Sequence, residues 1–170
     1  SDGTLGGNGH VDINANGEAA LHGQNVASGD LRVAARTVNL AGSQTLARNL
    51  NLHAASGDIN VRNAVLTADE TLTASTTQTL QHDGASSSAR QLQLNAHDLS
   101  NQHGELIQSG SGATAISLAG SLDNTAGKLA VNSQDLGLSA QTINNTNGVI
   151  VHAGAGEMRM MSGSRQSPRM

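Results

Sequence analysis

A chain of 170 residues with no Phe, Tyr, Trp or Cys, one Pro and only 13% charged residues departs from ordinary soluble domains, in which about a quarter of residues are charged. The lack of cysteine excludes a disulfide framework and thiol chemistry, and no apolar run approaches the roughly 18 residues needed to span a membrane as a helix. A net charge of −4 with Lys128 as the single lysine offers no basic stripe for phosphates and argues against a nucleic-acid partner.

In chain order, alternating apolar pairs fall at Val11/Ile13, Leu31/Val33, Leu50/Leu52, Leu72/Ala74, Leu92/Leu94, Ile116/Leu118, Leu136/Leu138 and Met158/Met160. Their first members cover 147 residues in seven steps, a mean of 21. Regular Leu, Val and Ile of this kind distinguish the chain from a disordered polar tract. Period-two alternation predicts strands, and no helical apolar stripe competes with it. Asn16-Gly17, Ser28-Gly29-Asp30, Ser56-Gly57-Asp58, Asp83-Gly84 and Asn147-Gly148 supply the residues that short turns require.

Further apolar residues, such as Val38/Leu40, Ile59/Val61, Leu66, Leu99/Leu106 and Leu122/Leu129/Val131, give each unit two or three short strands. One unit cannot bury its apolar side alone, but stacking equivalent strands at about 4.8 Å encloses a continuous aliphatic core. The pattern predicts a parallel β-helix of about eight coils, some 35–40 Å long by that spacing. A narrow interior of like-on-like aliphatic stacks accounts for the missing rings.

The plainest repeat is apolar-x-Asn-x-x-Gly-x-apolar at residues 99–106, 122–129 and 143–150. It places Asn101, Asn124 and Asn145, and Gly104, Gly127 and Gly148, at one recurring turn. Positive φ is expected at Gly127 and Gly148. Two roles stay open for the asparagines: a ladder of side-chain amides, as in cross-β stacks, or closure of each residue's own turn.

Other groups tempt a sharper reading. Residues 6–12 approach a Gly-Gly-x-Gly-x-Asp calcium repeat but miss it by one residue and occur once, so they read as a Gly-rich turn. His10, His22, His53, His82, His97, His103 and His152 show no metal-ligand spacing and are expected at the solvated surface. Asp69-Glu70 is the adjacent carboxylate pair, its side chains expected on opposite strand faces. Asp123 and Lys128 read as a solvated pair, and residues 85–88 as a serine-rich loop tip without a base. No catalytic, cofactor or metal residues are assigned.

The array is expected to cover 1–157. Residues 158–170 hold all four methionines, the proline and three of eight arginines, and are expected to form an off-pattern, disordered tail, although Met158 and Met160 keep strand phase. No basic segment with an apolar core follows Ser1, so the chain reads as an excised or mature fragment.

The Asn-Gly segments, alternating with pairs such as Leu136-Gly137-Leu138, resemble the repeats of filamentous haemagglutinin and of large two-partner-secretion exoproteins, including contact-dependent growth inhibition stalks. The resemblance is strongest over 92–154 and continues in phase over 11–91. It implies a right-handed β-helix and export through an outer-membrane two-partner-secretion transporter of a Gram-negative bacterium. It also implies a secreted, cell-surface shaft that projects a tip and touches a host-cell protein or carbohydrate. The rival reading is a polysaccharide-active β-helix enzyme, lyase or glycosidase, which needs several carboxylates converging in one groove.

Overall fold

The computed structural model describes residues 2–163. Inward apolar and outward polar residues alternate, so each short segment forms a strand with one face to bury. Nineteen strands and no helix result among the described residues. Each circuit of the chain runs along three sides and returns to its starting side, with long strands such as Asp30–Asn39 and Gln44–Ala54 turning a corner between two of them, and equivalent strands of successive coils pair in parallel.

On the first side Val11, Leu31, Leu50, Leu72 and Leu92 pair successively, and beside them Leu94, Ile116, Leu138 and Met160 do the same. The second side stacks Val38, Ile59, Leu80, Leu99, Leu122 and Ile143. The third stacks Leu5, Asn25, Thr45, Leu66, Ser87, Leu106, Leu129 and Ile150. These columns meet in a core in which Val33, Val38, Leu40, Ile59 and Leu92 are fully buried. Like-on-like stacking removes apolar surface from water between every pair of coils, the main driving force for the fold.

The phase of one strand differs from the sequence pattern. Thr114 pairs with Leu136, and Ile116 with Leu138, so Ile116/Leu118 is two residues out of step with Leu136/Leu138. The cause is a polar residue inside: Thr114 is buried, and its hydroxyl donates to Gln108 Oε1 at 2.7 Å. That oxygen also accepts from Leu92 N–H at 2.8 Å, while Gln108 Nε2 donates to Gly110 O at 3.1 Å and Gly112 O at 2.6 Å. The buried amide thereby fills its hydrogen-bonding capacity and holds the loop over 109–113 against the coil.

Two further expectations change. Residues 85–88 are not a loop tip: Ala85 closes the turn from His82, and Ser86–Ala89 is a strand paired with Val65–Thr67 below and Glu105–Gln108 above. At the other end, Met158–Ser162 is a strand in register with Leu136–Ala140, so the stack continues past 157. No described coil covers that strand, and Met158 and Met160 remain about two-fifths exposed. The rest of the tail expected over 158–170, residues 164–170, lies outside the described residues.

Candidate functional site

The corner between the second and third sides is built alike in six coils. The C=O of Leu40, Val61, His82, Asn101, Asn124 and Asn145 accepts a hydrogen bond from the N–H three residues on, at 3.0–3.2 Å. The third residue of each turn is left-handed: Gly42 (φ 70°), Asn63 (56°), Gly84 (65°), His103 (54°), Ala126 (52°) and Asn147 (53°). Positive φ therefore falls one residue before Gly104, Gly127 and Gly148 and not on them.

Space explains those glycines instead. A Cβ on Gly127 would meet Asn101 O and lie 2.6 Å from Asn124 Oδ1. One on Gly148 would meet Asn124 O and lie 2.5 Å from Asn145 Oδ1, and one on Gly104 would meet Asn101 Oδ1. Turns that begin with Leu40, Val61 or His82 carry Ser43, Ala64 or Ala85 at the fourth position. The side-chain amide thus takes the volume that a Cβ fills in the other coils, which couples Asn to Gly three residues later. Gly127→Val is expected to lose several kcal/mol, on the scale of overpacking at a backbone contact. Gly137→Val should stay near the parent, because a Cβ there meets nothing within 4 Å. Gly120→Val falls between, since its Cβ would meet the side chains of Asp98 and His97. Urea unfolding of the three variants measures the order, and equal losses would remove this account.

The asparagines form a ladder. Asn101 Nδ2 donates to Asn124 Oδ1 at 2.7 Å, and Asn124 Nδ2 donates to Asn145 Oδ1 at 2.6 Å. Each nitrogen also reaches carbonyls of the turn region: Asn101 to Lys128 O at 3.3 Å, and Asn124 to Gly127 O at 3.3 Å and Val149 O at 3.2 Å. Asn101 and Asn124 are fully buried, so these bonds offset a desolvation cost.

The ladder starts at a residue expected at the surface. His82 is 1% exposed, with Nδ1 2.7 Å from Asn101 Oδ1 and Nε2 2.7 Å from Ser87 Oγ. Burial pushes its imidazole down to about 4. The serine that seemed to lack a base has a histidine beside it, but Ser87 is also 1% exposed, and the pair faces the aliphatic interior. The only signal in the sequence was position: His82 lies in phase with Val61 and Asn101.

The carboxylates act between coils. Asp58 Oδ1 accepts from Thr79 N–H, Asp83 Oδ1 from Gln102 N–H, Asp98 Oδ1 from Ser121 N–H and Asp135 Oδ1 from Glu157 N–H, all at 2.7–3.0 Å. The His97 ring, 2.8 Å from Asp98, and the Ser121 N–H hold the Asp98 carboxyl below the usual carboxylate range. The Thr125 hydroxyl, 2.6 Å away, does the same for Asp123. Lys128 pairs with Glu105 of the coil below at 3.8 Å and not with Asp123. Asp69 and Glu70 are both exposed, because the register shifts between Ala47 and Asn49 and leaves them at a corner; Glu70 lies 3.9 Å from Arg90.

Asp12, in the calcium-like segment, faces Arg32 at 3.5 Å and accepts from Asn14 Nδ2 at 2.9 Å. No cluster of three His, Cys, Asp or Glu suited to a metal occurs among the described residues. A surface depression of about 510 Å³ is lined by Asn14, Asn16, Arg36, His53 and alanines, with no carboxylate.

Stacked turns, an internal amide ladder and carboxylates used as staples between coils define a structural β-solenoid repeat segment. A family model described as haemagglutinin repeat matches residues 1–126 and 109–157, and the chain belongs to that family. Toxin CdiA of Yersinia pestis is 33% identical to it over 154 residues, which cover 91% of this chain and 5% of that relative. The chain therefore corresponds to a small part of that relative's length. No solved structure matches it.

Proposed function

We propose that this segment is part of the shaft of a secreted, cell-surface exoprotein of a Gram-negative bacterium. An outer-membrane two-partner-secretion transporter exports the parent, and the shaft holds an adhesive or toxic tip away from the cell. The observation that carries this reading is the use of carboxylates: Asp58, Asp83, Asp98 and Asp135 each hold a backbone N–H of the next coil. They lie spread along the stack and converge in no groove, the reverse of what a polysaccharide-active enzyme needs. Membership of the haemagglutinin-repeat family and the likeness to Toxin CdiA of Yersinia pestis support the same reading.

The test is made in the surface-displayed parent. Replacing Asn14, Arg36 and His53, which line the broad depression, by alanine together is expected to leave tip activity and attachment to host or neighbouring cells unchanged. Lost attachment with the fold intact would move the binding function onto this segment. New reducing ends or unsaturated products on incubation with polysaccharides would replace the shaft by the enzyme.

A further inference from the structure

His82 stands where one column of the stack changes chemistry. Below it the same corner position holds Leu40 and Val61, above it Asn101, Asn124 and Asn145. The imidazole has an apolar neighbour on one side and the start of the amide ladder on the other.

The bonds fix which ring nitrogen carries the proton. Asn101 Nδ2 is committed to Asn124 Oδ1 and Lys128 O, so the atom facing His82 Nδ1 is the acceptor Oδ1. Nδ1–H donates to it, and Nε2 accepts from the Ser87 hydroxyl. Donors then run one way, from Ser87 through His82, Asn101 and Asn124 to Asn145.

A second proton on Nε2 faces the Ser87 hydroxyl, which must turn its own hydrogen elsewhere. Only aliphatic groups surround it: the small cavity against His82 and Ser87, about 10 Å³, is lined otherwise by Leu52, Val61, Leu66, Leu72, Ala74, Leu80, Leu94 and Leu106. No charged group faces the ring from inside. Outside, Asp83 is engaged by Arg62 at 3.2 Å, by the Ser100 hydroxyl and by Gln102 N–H. In the coil above, His103 is exposed and Glu105 pairs with Lys128.

We propose that His82 is an acid-sensitive joint of the β-solenoid: its protonation expels the ring and frees residues 82–89 from the stack, loosening this coil while its neighbours stay paired. The inference rests on the stack geometry and stands apart from the proposed shaft function. The sign follows from linkage. The buried imidazole lies near 4, below the roughly 6.5 of an exposed one, so the open form binds the extra proton between those values. The stabilisation is complete above pH 6.5 and is lost as pH falls toward 4. The opening constant of this coil should rise on the order of 100-fold across that window.

The experiment is native-state hydrogen exchange by NMR on the whole chain, corrected for intrinsic rates, at pH 7 and pH 4.5. Amides of Gly84, Ala85 and Ser86, which bond Gln102 O, His82 O and Ala64 O, are expected to open far more readily in acid, and those of Asn124 and Gly127 to change little. Ring ¹⁵N shifts should show a neutral Nδ1–H tautomer of His82 that persists to pH 5. The double variant His82→Asn/Ala85→Gly rewrites this turn in the form of residues 101–104, keeps a donor for Asn101 Oδ1 and removes the titrating group. It should fold and lose the acid response. His82→Leu, which matches Leu40, should also lose the response while opening more readily at pH 7. Equal opening at both pH values in the parent, a ring that titrates near 6.5, or an unchanged response in the double variant would each overturn the proposal.

Discussion

Leu138→Asp is expected to cost about 3–5 kcal/mol at neutral pH, the scale of an unpaired carboxyl placed in a packed apolar site. Leu138 is 1% exposed and lies between Ile116 and Met160 in its column, so no solvent or cation reaches the new group. Leu118→Asp, between Ala96 and the next coil, is expected to follow, with Leu118 at 5% exposed. Gly137→Asp is the control, since its side chain points outward into open space. The buried carboxyl titrates above its unfolded value, so the Leu138→Asp deficit shrinks as pH falls through the carboxylate range. Urea midpoints at pH 7 and pH 4 measure both effects. Because stability in a solenoid is summed over units and neighbours, hydrogen exchange should show the loss concentrated in coils above residue 114. A Leu138→Asp variant that melts with the parent would place that residue outside the core.

The period of the array was legible because aliphatic residues recur on inward positions; the columns from Leu31 to Leu92 and from Val38 to Leu122 follow the alternation directly. Legibility failed where an inward position is polar. Thr114 hides the phase of its strand because its partner Gln108 satisfies it inside. On the third side Asn25, Thr45 and Ser87 occupy inward positions, and each has a local partner: Asn25 Nδ2 donates to Thr45 Oγ1 at 3.1 Å, and Ser87 meets His82. A run of serines beside a histidine looks solvated by composition, and only stacking register shows that alternate members point inward.

The recurring turn was legible in position but not in cause. Asn101, Asn124 and Asn145 announce a repeated corner, yet the spacing does not distinguish a glycine chosen for φ from one chosen for space. Ala126, a residue with a Cβ, carries the positive φ at a cost of about 1–2 kcal/mol, and the stacked turns above and below hold it there. The carboxylates were likewise visible one by one. Their common task, holding an N–H one coil away, depends on contacts 19–23 residues apart that no local motif records.

Removing residues 119–140 is expected to leave a folded, shorter stack. The deletion takes out 22 residues and puts Leu118 in the place of Ala140, the residue that follows Ser139 in the register Ser117↔Ser139. A deletion of 119–138, matched to the apparent step from Ile116 to Leu136, leaves two residues too many before the next corner and should fold less stably. Removing 119–128 has a different outcome: it joins Leu118 to Leu129, so the third-side strand Lys128–Val131 loses its corner and its first residue. The chain then enters the wrong side of the coil, apolar residues face water, and the product should misfold or aggregate. Circular dichroism and size-exclusion chromatography on all three deletions test the register. In a surface-displayed parent the 119–140 deletion should keep tip activity, with about 5 Å of reach lost by the strand spacing. A folded 119–140 deletant without activity would sink the spacer role, and a well-folded 119–128 deletant would sink the stacking register itself.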